Sequence, residues 1–470
     1  MEYKPQPTSP PNPQLQPRLI IHGGAGNITP ATLTPERYAE FRTALLTIIS
    51  KSHTYMTTPL PPSSTTTTFG GTTTTLASTT TTTQNPNPLP SALATATHAV
   101  TLLEDNPLFN AGHGAVFTRD GTHELEASVM VSRGHAKRAV GVSGLRRVRN
   151  PIRLARELLE RGEGDLRPSG LMGGMDAGEG GGGGDGLLDV PGAQGHTHLH
   201  GLAAEQLAER YGLAMVEQGY FWTRRRWEEH VRGLEREKKG GGLGTWCREE
   251  YVPQGTVGAV AVDGEGVVCV ATSTGGLTNK LTGRIGDTPT VGAGFWAEEW
   301  VEDAGGSGTG WVKHGPAVVL SGGLKGIMAE CLPTPWVYTP LVAASGNLTR
   351  TRSVAVSGTG NGDSFSSDSG RQNGGEVQKS AGDRWGKTGE GEGGMIGIEC
   401  IVVKEAEGRV VDARSELLQD YNCGGMFRAW VDQRGVAVAR VFREDQEVSG
   451  AYVGEGKPEN PRLWFGEKLG

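Results

Sequence analysis

The sequence predicts an α+β protein in which two β-sheets lie between helical layers, and three observations carry that reading. Residues 257–262 and 267–272 are apolar runs separated by Asp263-Gly264-Glu265-Gly266, the pattern of two buried strands joined as a hairpin. Leu125, Ala127, Val129 and Val131 alternate with Glu124, Glu126 and Ser128, which is the period of a strand with one buried face. Thr34-Pro35 and Asn150-Pro151 are cap and first-turn pairs, each followed by apolar residues at helical spacing.

Taken along the chain, a strand is expected at 19–22, then a helix from Pro35 that places Tyr38, Phe41, Leu45 and Ile48 on one face. The alternating strand at 125–131 and a helix from Pro151 through Leu159 follow, then the hairpin, then strands at 395–403 and 436–442. Glycine is 74 of 470 residues, about twice its usual share, and the excess falls in stretches that interrupt these elements. Tracts at 57–90, 162–199 and 236–244 are too rich in Thr, Pro or Gly to bury a core and read as mobile inserts. Trp222–Lys239, rich in Arg and Glu, reads as a solvated, flexible arm. The length allows two or three domains, or one large domain with inserts.

The net charge of −7 gives no basic surface for nucleic acid. Five cysteines, Cys247, Cys269, Cys331, Cys400 and Cys423, are scattered without metal spacing and read as reduced thiols. The Pro-rich start lacks a secretory apolar segment and no run is apolar enough to span a bilayer, so the expected location is the cytoplasm.

Chemistry is concentrated at 255–296. Thr256 opens the first strand of the hairpin and Thr274 closes the second, so the two ends meet. A threonine hydroxyl needs a base, and one whose preceding peptide bond is cut carries its own α-amine, largely able to accept a proton near pH 7. Gly255 presents no side chain to obstruct such a cut. Taken alone, Gly255-Thr256 is no more than a β-branched residue opening a strand, and Arg284 with Asp287 is no more than a surface ion pair.

Several words together change that balance: LIIHGGAGNI at 19–28, LLEDNPLFNAGHGAVF at 102–117, LEASVMV at 125–131, NPIRLARELLE at 150–160, the run from Gly255, and SGTGNGD at 357–363. In this order they resemble the plant-type L-asparaginase and isoaspartyl peptidase family of N-terminal nucleophile hydrolases, over about half of the chain. The resemblance implies a four-layer αββα sandwich. It also implies autocatalytic cleavage between Gly255 and Thr256, giving an alpha subunit from 1–255 and a beta subunit from 256–470 that commonly pair as dimers of processed units.

Carried over by position, the resemblance makes Thr256 the nucleophile, Thr274 the residue that holds its hydroxyl, and Thr359 with the Gly360 amide the oxyanion hole. Arg284 would clamp the α-carboxylate of a small-molecule or dipeptide substrate, Asp287 would accept from its α-ammonium, and Gly362 lines the same pocket. Asn110 and the His22-Gly23-Gly24 turn would support the pocket, with His22 structural and His113 given no catalytic role. The loop Leu103–His113 resembles one that wraps a sodium ion in this family, through the carbonyls of Leu103, Glu104, Asn106, Phe109, Ala111 and His113. No other cofactor is implied.

Asn361 stands where the family's asparaginases have a histidine, which brings SGTGNGD nearer the glycosylasparaginase branch. Inserts at 299–352 and 364–391 also interrupt the pattern, and the first is expected to cap or narrow the pocket. The alternatives are glycosylasparaginase, a taspase-like threonine endopeptidase, or an unprocessed binding protein. Ala381–Thr388 resembles a phosphate loop but lacks its first glycine and a preceding strand. His196, His198 and His200 read as a linker or helix entry.

Overall fold

The computed structural model describes residues 15–61, 64–69, 72–77, 88–135, 138–165, 193–253, 255–302, 311–314, 337–340, 348–367, 379 and 381–442. In chain order the elements begin with β1 (Arg18–Gly26), α1 (Pro35–Thr57), the hairpin β2 (Ser64–Phe69) and β3 (Thr72–Ala77), α2 (Ala92–Glu104), β4 (Leu125–Val131), β5 (Ala139–Leu145) and α3 (Pro151–Asp165). They continue with β6 (His198–His200), α4 (Gly201–Arg210), α5 (Arg224–Lys238), β7 (Val257–Val262), β8 (Val268–Thr274), β9 (Phe295–Glu302) and a hairpin of β10 (Trp311–His314) with β11 (Val337–Pro340). Last come β12 (Leu348–Gly360), the short helix α6 (Gly362–Ser367), β13 (Gly393–Glu405), β14 (Val410–Tyr421), β15 (Gly425–Val431) and β16 (Ala437–Phe442).

Eight strands form one sheet in the order β16-β15-β1-β7-β8-β4-β5-β6, and four form another in the order β14-β13-β12-β9. The expected hairpin is at the centre of the large sheet, with Val257 paired to Ser273 and Val262 to Val268. Asp263 closes its turn by accepting from the amides of Glu265 and Val267 at 3.1 and 3.0 Å. Both faces of β7 are buried, which accounts for its wholly apolar run. Val257, Ala259 and Ala261 join a core with α1, α2 and α3, through residues such as Phe41, Val100 and Leu158. Val260 and Val262 face the other way, into a core shared with Ala355, Ile396 and Ile398 of the small sheet. The period of two in a strand thus assigns alternate side chains to different cores.

The Thr34 hydroxyl caps α1 by accepting from the Arg37 amide at 3.4 Å, and Phe41 of that helix stacks on Phe427 with ring centroids 4.2 Å apart. Helix α2, which the sequence pattern did not separate from the Thr-rich tract before it, is capped by Ser91 and packs over β7 and β8. The first residues of the 162–199 and 236–244 tracts are helical, since α3 runs to Asp165 and α5 to Lys238.

Two expectations change. Strand β4 is buried on both faces, because its polar side chains are partnered: Glu126 with Lys280 at 3.2 Å and Ser128 with Thr272 at 2.6 Å, which removes the penalty of burying them. The arm at 222–239 is the helix α5, and it is not solvated along its length. Arg226 is buried, donating to the carbonyls of Gly114 and Leu108 at 2.7 and 2.9 Å and pairing with Glu229. The three-histidine word enters a helix as expected, through the edge strand β6 with His200 at the N-cap of α4, and His198 and His200 both bond to the Ser143 hydroxyl.

The 299–352 insert is described at its ends and in the short strands β10 and β11. Its two ends are paired strand, Arg350 opposite Glu302, while Ser357 lies opposite Phe295. The insert therefore leaves the small sheet nine residues before Thr359 (359 − 350), roughly 30 Å away along the strand. The rest of that insert lies almost wholly outside the described residues. Among the described residues no helix is long and apolar enough to cross a membrane.

Candidate active site

The site gathers where the ends of β7, β8 and β12 meet the loops 103–118 and 276–294. Thr256, immediately before β7, is buried, and its backbone is held from both sides by one hydroxyl: its amide donates to Thr359 Oγ1 at 2.8 Å and its carbonyl accepts from the same oxygen at 2.9 Å. The preceding residue has to be glycine for space alone. A Cβ on Gly255 would stand 2.7 Å from Thr359 Oγ1 and 2.8 Å from the Ala25 nitrogen.

Asn110 is placed by its own loop, where its side-chain oxygen accepts from the Val116 amide at 3.0 Å. Its Nδ2 donates to the Gly255 carbonyl at 3.1 Å and to the Gly276 carbonyl at 2.7 Å. The carbonyl of the Gly255-Thr256 bond is thus polarised by a buried, oriented amide. Upstream, the Thr278 hydroxyl donates to the Pro253 carbonyl at 2.9 Å, and Tyr251 packs edge-on to Phe427.

The Thr256 hydroxyl meets a partner that the sequence reading did not include. Its Oγ1 lies 2.7 Å from Thr288 Oγ1. Thr274, at the end of β8, accepts from the Gly276 amide at 3.0 Å, which shapes the Gly275-Gly276 turn. Thr288 is fixed through its carbonyl, which accepts from Ser128 Oγ at 2.6 Å and Thr272 Oγ1 at 3.3 Å. The available signal was its position next to Asp287 in a word already assigned to the site.

His22, on β1 beside Gly258, is 2.7 Å from Ser357 Oγ. Burial pushes its pKa down to about 3, against a small upward pull from the Thr256 backbone. An imidazole so weakly basic is poorly suited to take a hydroxyl proton, in keeping with a structural role.

On the other wall, Arg284 and Asp287 come together with Gly362. A Cβ on Gly362 would lie 2.3 Å from Asp287 Oδ1 and 3.2 Å from Arg284 Nη2. Arg284 Nη2 donates to Asp363 Oδ1 at 2.7 Å. Arg284 Nε and Asp287 Oδ2 are buried and have no hydrogen-bond partner among the described residues. Burial raises the Asp287 pKa to about 7; Glu126 and Asp363 push it in the same direction and Arg284 opposes them. Glu126 also holds this loop, accepting from the Gly286 amide at 3.2 Å. Gly360, at φ +144°, is in a backbone region that favours glycine, and a Cβ there would strike the Glu392 carbonyl at 2.3 Å.

The Leu103–His113 loop is tightly wound. Gly112 and Gly114 both have positive φ, and a Cβ on them would meet the carbonyl oxygens of Glu104 and Pro107 at 2.5 Å. The Glu104 side chain turns elsewhere, accepting from the Ile152 amide at 3.0 Å, so the loop offers carbonyls rather than carboxylates. That donor set fits a hard monovalent cation. Among the described residues no group of three or more His, Cys, Asp or Glu could hold a metal. The described cysteines are free and buried, and burial pushes the thiols of Cys400 and Cys423 up to about 12; Cys331 lies outside the described residues.

A family described as asparaginase matches residues 79–166 and 190–318, on both sides of Gly255-Thr256. An isoaspartyl peptidase of Salmonella typhimurium is 32% identical over 354 residues, covering 73% of this chain and 90% of the relative. The isoaspartyl peptidase of Escherichia coli is 30% identical over the same length, covering 73% and 87%. A plant-type L-asparaginase of Pyrococcus furiosus is 37% identical over 216 residues, covering 44% of this chain and 58% of that one.

Proposed function

The chain belongs to the asparaginase family, and from that premise we propose an amidohydrolase that cuts itself between Gly255 and Thr256 and then cleaves L-asparagine, β-aspartyl dipeptides, or both. The observation that carries this reading is the cradle around the Gly255 carbonyl. Asn110 Nδ2 donates to it at 3.1 Å while the Thr256 hydroxyl is held by Thr288.

In the first stage the Thr256 oxygen attacks the Gly255 carbonyl carbon, and Asn110 stabilises the developing oxyanion. The bond from that carbon to the Thr256 nitrogen then breaks as the nitrogen takes up the hydroxyl's proton, leaving an ester that water hydrolyses to a Gly255 carboxylate and a free Thr256 amine. In the second stage this amine takes the hydroxyl proton, and the oxygen attacks the substrate's β-carbonyl. Thr359 and the Gly360 amide receive the oxyanion. Ammonia or an amino acid leaves, and water releases aspartate from the acyl-enzyme. Arg284 grips the α-carboxylate through a planar fork, Asp287 accepts from the α-ammonium, and Gly362 leaves space for the head group.

The same reading includes a sodium ion on the carbonyls of Leu103, Glu104, Asn106, Phe109, Ala111 and His113, which would brace the loop that positions Asn110. It includes the four-layer αββα arrangement, supported by helices on one face of the large sheet and the small sheet on the other. A cytoplasmic dimer of processed units completes it.

Mass spectrometry of the purified chain tests the first stage. Two polypeptides, the second beginning at Thr256, are expected, and Thr256→Ala should remain one chain. Cleavage of the alanine variant at the same bond would sink the autocatalytic account.

A further inference from the structure

Asp363 is a carboxylate standing on the residue proposed to bind carboxylates. It follows the Thr359–Gly362 turn directly, on α6, and among the described residues its side chain makes one hydrogen bond, 2.7 Å to Arg284 Nη2. The two ends of this pair differ. The Arg284 side chain is 17% exposed and the Asp363 side chain 64%.

Arg284 is confined: Cβ atoms on Gly286 and Gly362 would stand 2.9 and 3.2 Å from its Nη1 and Nη2, so the backbone closes on the guanidinium from two sides. Among the described residues its buried Nε has no partner, and neither has Asp287 Oδ2. Asp363, largely in water, can rotate away at little desolvation cost. A fixed cation with a spare donor, bound at one point by a solvated carboxylate, is a clamp with a replaceable occupant.

We propose that Asp363 occupies the Arg284 clamp in the ligand-free protein and is displaced by the substrate's α-carboxylate, so that it sets how tightly amino-acid head groups bind. This rests on the reading of Arg284 as the carboxylate clamp. A substrate carboxylate can take two parallel donors where Asp363 takes one, and bidentate pairing is the stronger arrangement. Before it can do so it must displace an existing ion pair and enter beside a like charge. Both effects weaken head-group binding, and both end when the charge at 363 is removed.

The contrary role, a fixed strut that orients the guanidinium, predicts the opposite sign. Titration calorimetry with L-aspartate on the purified full-length protein decides between them. Asp363→Asn should bind L-aspartate roughly three- to fivefold more tightly, the range that an exposed ion pair contributes, and KM for L-asparagine should fall by a similar factor. Asp363→Ser, which loses both charge and acceptor geometry, should move the same way, whereas Asp363→Glu should stay near the unsubstituted protein. Unchanged or weaker binding by the Asn and Ser variants would overturn the proposal and make Asp363 a strut. A failure of the underlying reading looks different: the unsubstituted protein would not bind L-aspartate, or Arg284→Lys would bind it equally well.

Discussion

The two walls of the pocket are built on opposite principles. Around Gly255 and Thr256 the polar atoms are paired within the chain: the Gly255 carbonyl with Asn110, the Thr256 amide and carbonyl with Thr359, and the Thr256 hydroxyl with Thr288. Around Arg284 and Asp287 a donor and an acceptor are buried and, among the described residues, left without partners. Leaving such atoms unmade is costly unless something else completes them. The paired wall is organised for a reaction of the chain on itself, and the unpaired wall for a molecule that arrives later. Variants on the two walls should therefore separate cleavage from binding.

The largest effect is expected on the paired wall. Asn110→Ala removes the donor from the Gly255 carbonyl and should slow appearance of the fragment starting at Thr256 by about 10²- to 10³-fold, as losing one oxyanion donor does. Cleavage followed by gel electrophoresis over time checks this, and cleavage at the unsubstituted rate would show that Asn110 is only a loop brace. On the unpaired wall, Arg284→Lys keeps the charge and loses the fork. KM for L-asparagine should rise about tenfold or more, with the extent of cleavage unchanged. A variant that cleaves poorly but binds normally would reverse the assignment of the two walls.

The chemistry of both walls became legible in the sequence only through the series of words around it. Alone, Thr256 at a strand mouth after glycine is ordinary strand chemistry and Arg284 with Asp287 an ordinary ion pair, and the company of the other words changes both readings. Glu126 stayed illegible, because a polar residue alternating with apolar ones in a strand reads as solvent-facing. Only the fold brings Lys280, 154 positions away, to within 3.2 Å of it. For the same reason α5 read as a solvated arm: the Arg226 partners are carbonyls of Leu108 and Gly114, more than 110 positions away, and carbonyls carry no sequence signature. The expected cap falls on the 299–352 insert, most of which lies outside the described residues.

A pH series sharpens the unpaired wall. With an ordinary value of 3.8 raised to about 7, chiefly by burial, Asp287 is protonated in acid and ionised above neutrality. Only the ionised form accepts well from an α-ammonium. Affinity for L-asparagine should therefore be flat above about pH 8 and fall about tenfold between pH 8 and pH 6, which a single titration near 7 requires. The ligand-free protein should show the complementary trend. Its folded state holds the Asp287 proton more tightly than the unfolded chain does, so this group reduces stability as pH rises from about 4 to about 7. An affinity independent of pH across that range would remove Asp287 from contact with the ammonium.

The smallest expected effect tests the partner that only the structure supplied. In the uncut chain the Thr256 hydroxyl is 2.7 Å from Thr288 Oγ1, while the Thr274 hydroxyl is engaged with the Gly276 amide. If that arrangement sets the line of attack on the Gly255 carbonyl, Thr288→Val should slow cleavage by roughly three- to tenfold, the worth of one neutral hydrogen bond. Valine preserves the branched shape, and the Thr288 carbonyl keeps its bonds from Ser128 and Thr272, so the backbone beside Asp287 should stay in place. Once cleaved, the variant should bind L-aspartate as the unsubstituted enzyme does, because neither Arg284 nor Asp287 depends on the Thr288 hydroxyl. Thr274→Val gives the contrast: its hydroxyl shapes the Gly275-Gly276 turn, and the family resemblance assigns it to the nucleophile during turnover. A loss larger for Thr274→Val in turnover and larger for Thr288→Val in cleavage would mean that the nucleophile changes partners when the chain is cut. Equal losses in both assays would mean that one hydroxyl cluster serves both reactions, and the division of the pocket into two walls would then hold for binding but not for the nucleophile.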